Sequence, residues 1–256
     1  TNGLVEFEFF PSGELVEIPH EYDGLTQGIA DVVSLPAIYN PSTFPMSEIT
    51  MLPLSYSDTY IASEAFKKLL ESDVELQDGK TFYDLEFGDK GLKVFPLPTT
   101  MEYSISTTGK EFNSVEDIES STLRAASRIH EMYAKNIGVN TITMPAVDMF
   151  DAMSRGAFDG SFYSIADWSG YGFQDLFKYT FTAVNFGHFN SLIAMTQDRW
   201  DSLPKEAQDA IIKASEDQFK PGADEWEKRG DEMVEYTLAN GGKVVDEADP
   251  AVIEHL

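Results

Sequence analysis

Apolar and polar positions follow two different periods along this chain, and the changes of period separate strands from helices. Between residues 114 and 160 the pattern alternates regularly between the two types of element. The predicted helices cover residues 114–120, 128–137 and 145–155, and the predicted strands cover residues 122–126, 140–144 and 158 onward. Such alternation is typical of a parallel sheet with helices on its faces. We therefore predict an α/β fold here.

The flanking regions repeat the same two patterns. Strands are predicted at 4–10, 31–35, 92–97 and 101–107, helices at 21–30 and 58–70, and irregular structure at 79–89. Residues 178–194 are β-rich and interrupted by Gly187, which predicts two strands joined across a domain boundary. A helix is predicted from Pro204 to about residue 219, and Pro221 and Gly222 are expected to kink or break it before a second helix at 223–238. The whole pattern predicts two α/β lobes joined by a few crossing strands.

Composition limits the classes of function. The 256 residues are 42% hydrophobic, which is enough for the core of one or two domains. The net charge of −26 opposes binding to nucleic acid or to anionic membranes, so we expect neither as a partner. An anionic ligand would have to be held by local, specific groups.

Cysteine is absent, which excludes disulfides, zinc thiolate sites and cysteine nucleophiles. No segment has the length and apolarity of a membrane span, so direct membrane insertion is not expected. The sequence begins at Thr1 without methionine and without a signal peptide. We expect a processed protein from which a signal peptide has been removed.

Arg124 is the most informative single residue. It ends an apolar strand, and in α/β sheets ligands bind outside the carboxyl ends of the strands. A guanidinium pairs with a carboxylate through two parallel hydrogen bonds, which lysine cannot copy. The alternative is a structural ion pair with one of the many acidic residues.

Aromatic residues crowd the segment after the strand that begins at Phe158. Phe162, Tyr163 and Trp168 suit a pocket that is apolar in its body and selective at its ends. An ordinary core with a helix face would use the same residues. Catalytic motifs are missing: the histidines show no metal-ligand spacing, and no nucleophile elbow, dinucleotide fingerprint or Walker loop occurs. His188 could bond a ligand, although a lone histidine in a strand is more often simply packed.

Several short motifs occur together in one order. They are residues 3–15 (GLVEFEFFPSGEL), 28–31 (GIAD), 44–45 (FP), 52–53 (LP), 152–160 (AMSRGAFDG), 177–179 (FKY) and 200–204 (WDSLP). In this order they resemble the extracytoplasmic solute receptors of TRAP transporters, the DctP type. The resemblance covers nearly the whole chain. It implies a periplasmic-binding-protein-like fold of two α/β lobes with hinge strands, a cleft between the lobes and a long helix across both.

The resemblance also implies an organisation into lobes. We expect lobe I at 1–101, lobe II at 102–188, a return to lobe I at 189–226, and a C-terminal helical region packing on lobe II at 227–256. Family members normally carry a further strand and helix before the segment matched by Thr1 and extend beyond Leu256. Pocket residues from the loop of that first strand would then be absent here or supplied differently.

The family's selectivity arginine usually follows a pattern like D-L-x-G-x-K-x-R. Residues 117–124 match its spacing without the glycine and the lysine, and they retain Arg124. The resemblance therefore implies that Arg124 binds a carboxylate. Ser104 stands where sialic-acid receptors place a second arginine, which disfavours a second carboxylate, and Tyr163 stands where they place an asparagine. The acidic residue and tryptophan that hold a metal in α-keto-acid receptors are not reproduced, so no metal and no cofactor is expected.

The leading hypothesis is a periplasmic or cell-surface receptor, not an enzyme, that delivers a monocarboxylate with an apolar or aromatic body to TRAP permease membrane subunits. Arg124 would clamp the carboxylate. The other predicted ligand contacts are Phe162, Tyr163, Trp168, Tyr39, Asn190, Phe189, Ser104 and His188. Two alternatives stay open: a receptor that signals to a membrane kinase, and an enzyme of unknown reaction on the same scaffold.

Overall fold

The structure is a computed structural model that describes residues 3–11, 13–53 and 57–256. Thr1 and Asn2, at the start discussed above, lie outside the described residues. The chain divides into two compact units. The first comprises Thr1–Ser47, Ser63–Thr99 and Asn190–Ala223, and the second comprises Glu48–Ala62, Thr100–Phe189 and Asp224–Leu256. Residues 48–62, which the sequence analysis assigned to lobe I, group with the second unit.

The strands of the described residues are β1 (Val33–Leu35), β2 (Leu92–Pro96), β3 (Tyr103–Thr107), β4 (Thr122–Ala125), β5 (Asn140–Thr143), β6 (Gly160–Ser164), β7 (Tyr179–Phe181), β8 (Leu192–Thr196) and β9 (Lys243–Val245). The helices are α1 (Glu21–Thr26), α2 (Thr59–Leu70), α3 (Phe82–Glu86), α4 (Val115–Glu119), α5 (Arg128–Asn136), α6 (Met149–Ser154), α7 (Trp168–Tyr171), α8 (Gln197–Asp201), α9 (Lys205–Ala239) and α10 (Pro250–His255).

The first unit contains an antiparallel sheet in the order β1-β8-β2. Its core is built on Leu35, Phe44 and Phe87, each of which is fully buried. The rings of Phe44 and Phe87 stack with their centroids 5.6 Å apart. Stacked aromatic pairs add to the stability that area burial provides.

The second unit contains a mixed sheet in the order β5-β4-β6-β3-β7-β9. The helix–strand alternation correctly predicts β4, β5 and β6, which are parallel to one another. The sheet as a whole is not parallel, because β3 pairs antiparallel with both β6 and β7. The carboxyl ends of β4, β5 and β6 therefore share one edge of the sheet with the start of β3.

Two predicted elements at the start of the chain and near residue 80 are wrong. Residues 4–10, which the structure describes, are not in a strand, and the side chains of Phe7 and Phe9 are 64% and 84% exposed. Alternation of apolar and polar residues stabilises a strand only where the apolar face is buried. The segment predicted to be irregular contains α3, because Thr81 and Asp84 form a capping box that starts a helix.

Of the predicted kink or break at Pro221, the break is wrong, since α9 is one continuous helix of 35 residues that contains Pro221. A proline removes one backbone hydrogen bond of a helix, but tertiary packing of the flanking turns can outweigh that loss. Gly222 packs closely there, and a Cβ on it would lie 2.9 Å from Cγ of Pro98. No helix of the described residues is both long and apolar enough to cross a membrane.

Candidate functional site

Local hydrogen bonds fix the strand that carries Arg124. The side chain of Ser114 caps α4, which precedes β4, by accepting a bond from the backbone N–H of Asp117. The Asp159 carboxylate accepts a hydrogen bond of 2.8 Å from the backbone N–H of Thr122, where β4 begins. Arg124 then pairs in register with Ile142 of β5 and Ser161 of β6. The arginine is therefore held in the middle of the parallel part of the sheet.

The side chain of Arg124 is fully buried. Its Nε donates a hydrogen bond of 2.8 Å to the carbonyl oxygen of Met144, the residue after β5. The central carbon of its guanidinium lies 5.7 Å from the ring centroid of Tyr163. A cation over an aromatic face is stabilised by the ring quadrupole, and more so away from water. These two contacts define the orientation of the guanidinium at the edge where β4 and β5 end.

Tyr163 lies on the same face of the sheet as Arg124. Its hydroxyl donates a hydrogen bond of 2.5 Å to the carboxylate of Asp167, the residue before α7. Burial raises the pKa of Asp167 to about 6, while the Tyr163 hydroxyl and the positive charges of Arg229 and Arg124 partly offset that rise. The sequence analysis missed Asp167, which its spacing of four residues from Tyr163 could have indicated.

Further aromatic rings pack around Tyr163. Its ring centroid lies 5.3 Å from that of Phe173 and 5.6 Å from that of Tyr103. Trp168, fully buried, has its ring 4.9 Å from that of Phe177, which in turn packs on Phe173. The predicted aromatic cluster therefore exists, with Tyr163 beside the guanidinium and Trp168 deeper in the cluster.

Strand alternation separates Phe162 from Arg124. Successive side chains of β6 point to opposite faces, so Phe162 lies on the face away from Arg124. Its ring lies 5.0 Å from that of His130 and 5.2 Å from that of Phe186. The sequence analysis named Phe162 and Tyr163 together as ligand contacts, and the structure does not bring them together. The two-residue alternation of side chains along a strand already predicts that two consecutive residues lie on opposite faces.

Ser104 faces the same way as Tyr163, with which it pairs in register, and its hydroxyl donates to the Tyr163 carbonyl oxygen at 3.3 Å. Phe189 stacks on Tyr103, with the rings nearly parallel and 6.4 Å apart. Both residues therefore adjoin the cluster around Tyr163. Their contact with a ligand stays a prediction.

His188 is engaged at both ring nitrogens. Nδ1 lies 2.9 Å from the carbonyl oxygen of Thr100, so it must carry the proton and donate. Nε2 then accepts from the hydroxyl of Ser57 at 2.8 Å. Burial lowers the pKa of His188, which keeps the ring neutral. This bonding describes a structural histidine more than a ligand contact.

Tyr39 and Asn190 belong to the first unit. Tyr39 is half-buried at the end of a single 3₁₀ turn, and Asn190 is fully buried. The Asn190 side-chain amide donates a hydrogen bond of 2.7 Å to the carbonyl oxygen of Ser47. Their roles toward a ligand stay predictions.

Two surface concavities and the grouping of possible metal ligands can be compared with the surroundings of Arg124. Across residues 3–11, 13–53 and 57–256, no three His, Asp or Glu side chains are grouped closely enough to hold a metal ion. A concavity of about 420 Å³ in the first unit is lined by Asp31 and Arg199, which form an ion pair at 3.2 Å. One of about 330 Å³ in the second unit is lined by Asp58 and Glu102. Arg124 lines neither concavity, and it is the candidate anion site by its place at the strand ends.

Comparison with known proteins identifies the class of protein to which the chain belongs. Solved TRAP periplasmic solute-binding proteins share the mixed α/β fold with its long helix. The family described as "Bacterial extracellular solute-binding protein, family 7" (DctP) matches residues 1–254. The chain therefore belongs to this family of solute-binding proteins.

Two curated relatives are distant in sequence. A solute-binding protein of Albidiferax ferrireducens is 21% identical over 98% of this chain and 72% of its own length. The C4-dicarboxylate-binding periplasmic protein DctP of Rhodobacter capsulatus is 24% identical over 84% of this chain and 62% of its own length. The chain thus spans less than two thirds of the second relative.

Solved structures show the same fold at low identity. A marine metagenome TRAP solute-binding protein specific for aromatic acid ligands, in complex with metahydroxyphenylacetate, has a TM-score of 0.85 at 20% identity. A TRAP periplasmic solute-binding protein from Bordetella bronchiseptica with bound mandelate has a TM-score of 0.81 at 18% identity. Each match covers 99% of this chain and 78% of the other.

Proposed function

We propose that this protein is the receptor of a TRAP transporter and that it binds a small organic monocarboxylate through Arg124. The observation that carries the proposal is the buried guanidinium, oriented by the Met144 carbonyl at the carboxyl edge of β4. A cation removed from water is stabilised by an anion that forms charge-assisted hydrogen bonds with it. A carboxylate matches the planar fork of a guanidinium.

The ligand body is proposed to be apolar or aromatic. Tyr163 lies against the guanidinium, and Tyr171 and Phe173 pack around Tyr163. Rings of this kind offer a large apolar surface with polar tips. The neighbours with bound metahydroxyphenylacetate and mandelate, both aromatic acids, support this choice.

The partners follow from the family. We propose that the receptor works in the periplasm or at the cell surface and hands its acid, chemically unchanged, to the membrane subunits of a TRAP permease. The family consists of extracellular solute-binding proteins, and this membership supports the assignment. No cofactor is required for capture and release of a solute.

Matched acids and amides test the proposal. Benzoate and phenylacetate are titrated into the protein by isothermal calorimetry beside benzamide and phenylacetamide, which keep the same rings without the charge. Binding of the acids alone supports a carboxylate receptor. Equal binding of the amides, or binding of none across a wider panel of monocarboxylates, contradicts it. In a thermal-shift version, an acid at one hundred times its Kd adds about 2.7 kcal/mol of stability.

A further inference from the structure

Asp167 is a partly buried carboxylate attached to the aromatic ring that contacts Arg124. It precedes α7, and its Oδ2 accepts a hydrogen bond of 2.5 Å from the hydroxyl of Tyr163. The ring of Tyr163 in turn lies against the guanidinium of Arg124, with 5.7 Å between the ring centroid and the central carbon. A single tyrosine therefore contacts a carboxylate with its hydroxyl and the anion-binding cation with its ring.

Side chains from several elements act on the charge of Asp167. Tyr163 of β6 donates the hydrogen bond, while Arg124 of β4 and Arg229 of α9 contribute positive charge. Arg229 also pairs with Glu225, whose Oε1 lies 2.8 Å from its Nε. Burial outweighs these groups and raises the pKa of Asp167 to about 6 from its ordinary value of 3.8. A guanidinium keeps its charge in this range of pH, so Asp167 is the group that titrates here.

An anion bound at Arg124 changes this balance of charge. In the free protein the positive charge of Arg124 favours the ionised form of Asp167. A bound carboxylate offsets that positive charge with a negative one, and a nearby negative charge raises the pKa of an acid. A hydroxyl can both donate and accept, so the bond between Tyr163 and Asp167 can persist when Asp167 is protonated. Ligand binding therefore favours the protonated form of Asp167.

We propose that Asp167 couples ligand binding to pH, so that the receptor binds its carboxylate together with one proton, which Asp167 takes from the solvent. This inference rests on the proposed function, since the coupling acts on a ligand held by Arg124. Two unit charges about 10 Å apart, at an effective dielectric constant of about 20, change each other's equilibria on the order of tenfold. The affinity of the receptor is expected to change with pH by this factor.

The direction of the pH effect follows from the charge of Asp167. Below about pH 6 Asp167 is protonated in both the free and the bound protein, and the ligand meets no negative charge there. A tenfold coupling places the pKa of Asp167 in the complex about one unit higher. Above that value Asp167 is ionised in both states and repels the ligand. Affinity therefore rises as the pH falls, and proton uptake is largest between the two pKa values.

Calorimetry on the unmodified protein tests the inference. Benzoate and phenylacetate are titrated at pH 5.5 and at pH 8, where the acids, with pKa values of about 4, stay ionised. The Kd is expected to be about tenfold lower at pH 5.5. At pH 7, titrations in phosphate and in Tris buffer, which differ in ionisation enthalpy, should show uptake of protons. Equal affinities at both pH values overturn the inference and leave the carboxylate receptor intact, whereas binding of neither acid at either pH contradicts the proposed function as well.

Asparagine variants locate the titrating group. Asp167→Asn removes the charge and keeps an oxygen that accepts from Tyr163. It should bind with the affinity of the low-pH form at both pH values, whereas a merely structural role of Asp167 would lower the affinity. Asp175→Asn is the matched control, because Asp175 also accepts from a tyrosine hydroxyl, that of Tyr236 at 3.3 Å, but is exposed. The control should keep the wild-type pH dependence, and a pH dependence that persists in Asp167→Asn would overturn the inference.

A measurement on the wild-type protein decides the matter should Asp167→Asn fail to fold. The ¹³C resonance of the Asp167 carboxyl group is followed at pH 7 while phenylacetate is added. A carboxyl carbon moves upfield when it is protonated, so this resonance should move upfield as the site fills. A resonance that saturating phenylacetate leaves in place would overturn the inference.

Discussion

The carbonyl oxygen of Met144 accepts a hydrogen bond of 2.8 Å from Nε of Arg124. The side chain of Arg124, near the end of β4, is thus oriented by the backbone that follows the neighbouring parallel strand β5. A long side chain fixed in this way loses its rotational freedom on folding, before any ligand arrives. Preorganisation of this kind lowers the entropic cost of binding.

Tyr163→Phe should separate the structural from the binding role of this ring. The variant keeps the aromatic face beside Arg124 but removes the hydroxyl that bonds Asp167. We expect the free energy of unfolding at pH 8 to fall by about 1–3 kcal/mol, because a partly buried carboxylate loses its donor. Carboxylate affinity should be nearly retained, whereas Tyr163→Leu should lose it. Chemical denaturation and calorimetry on both variants check this, and equal losses of affinity would contradict it.

Glu21→Gln should stabilise the protein at high pH. Burial raises the pKa of Glu21 to about 7 from its ordinary value of 4.5, and its Oε2 has no hydrogen-bond partner among the described residues. Between pH 4.5 and 7 the unfolded chain has released this proton and the folded chain retains it, so stability falls as pH rises.

The glutamine variant removes that dependence. We expect it to exceed the wild type by about 2 kcal/mol in free energy of unfolding at pH 8, and to differ little at pH 4.5 or below. Urea titrations at the two pH values measure the difference. A gain of the same size at both would show that the carboxylate is not the cause.

Gly187→Ala should be strongly destabilising. Gly187 has φ +88°, and a Cβ on it would lie 2.5 Å from the backbone carbon of Met51. Strain and overlap together should cost about 2–4 kcal/mol. Gly28→Ala is the matched control, because Gly28 has φ +71° with open space around its would-be Cβ. It should cost about 1 kcal/mol, and equal melting temperatures for the two variants would contradict the contact with Met51.

Pro221→Ala should stabilise α9. The helix continues through Pro221, so alanine restores a backbone donor and removes a ring clash. The expected gain is about 1–2 kcal/mol, reduced from the full helix preference because proline also restricts the unfolded chain. Gly222→Ala, one residue on, should instead destabilise through overlap with Pro98. Thermal unfolding followed by circular dichroism distinguishes the two, and a loss of stability in Pro221→Ala would show that the proline is needed.

The sequence predicted the part of the fold in which local patterns and tertiary packing agree. The capped α4, the strand β4 and the helix α5 were each placed within one residue, since capping serines and apolar runs mark them directly. The continuous α9 could not be predicted, because a proline signals a helix end in sequence and only tertiary contacts, such as that of Gly222 with Pro98, can outweigh it. At residues 4–10 the local pattern predicts a strand, but no tertiary packing supports it, and Phe9 remains exposed.

The residues at the centre of the candidate site, Arg124 and Tyr163, were easier to predict from the sequence than the residues around them. Arg124 could be named from its position at a strand end, and Tyr163 from the aromatic cluster after the strand that begins at Phe158. Asp167 was missed because its role depends on the Tyr163 hydroxyl that the fold brings to it. Trp168 packs on Phe177 deeper in the cluster, which composition alone could not distinguish from a pocket wall.

The most direct measurement is calorimetric titration of an aromatic monocarboxylate into Arg124→Gln and into Arg155→Ala. Both variants remove one positive charge, but Arg155 is exposed and forms a surface ion pair with Asp151 at 3.7 Å. Loss of the Arg124 clamp should cost about 3 kcal/mol, which raises Kd on the order of a hundredfold. Arg155→Ala should bind like the wild type. Unchanged affinity in a folded Arg124→Gln would contradict the account.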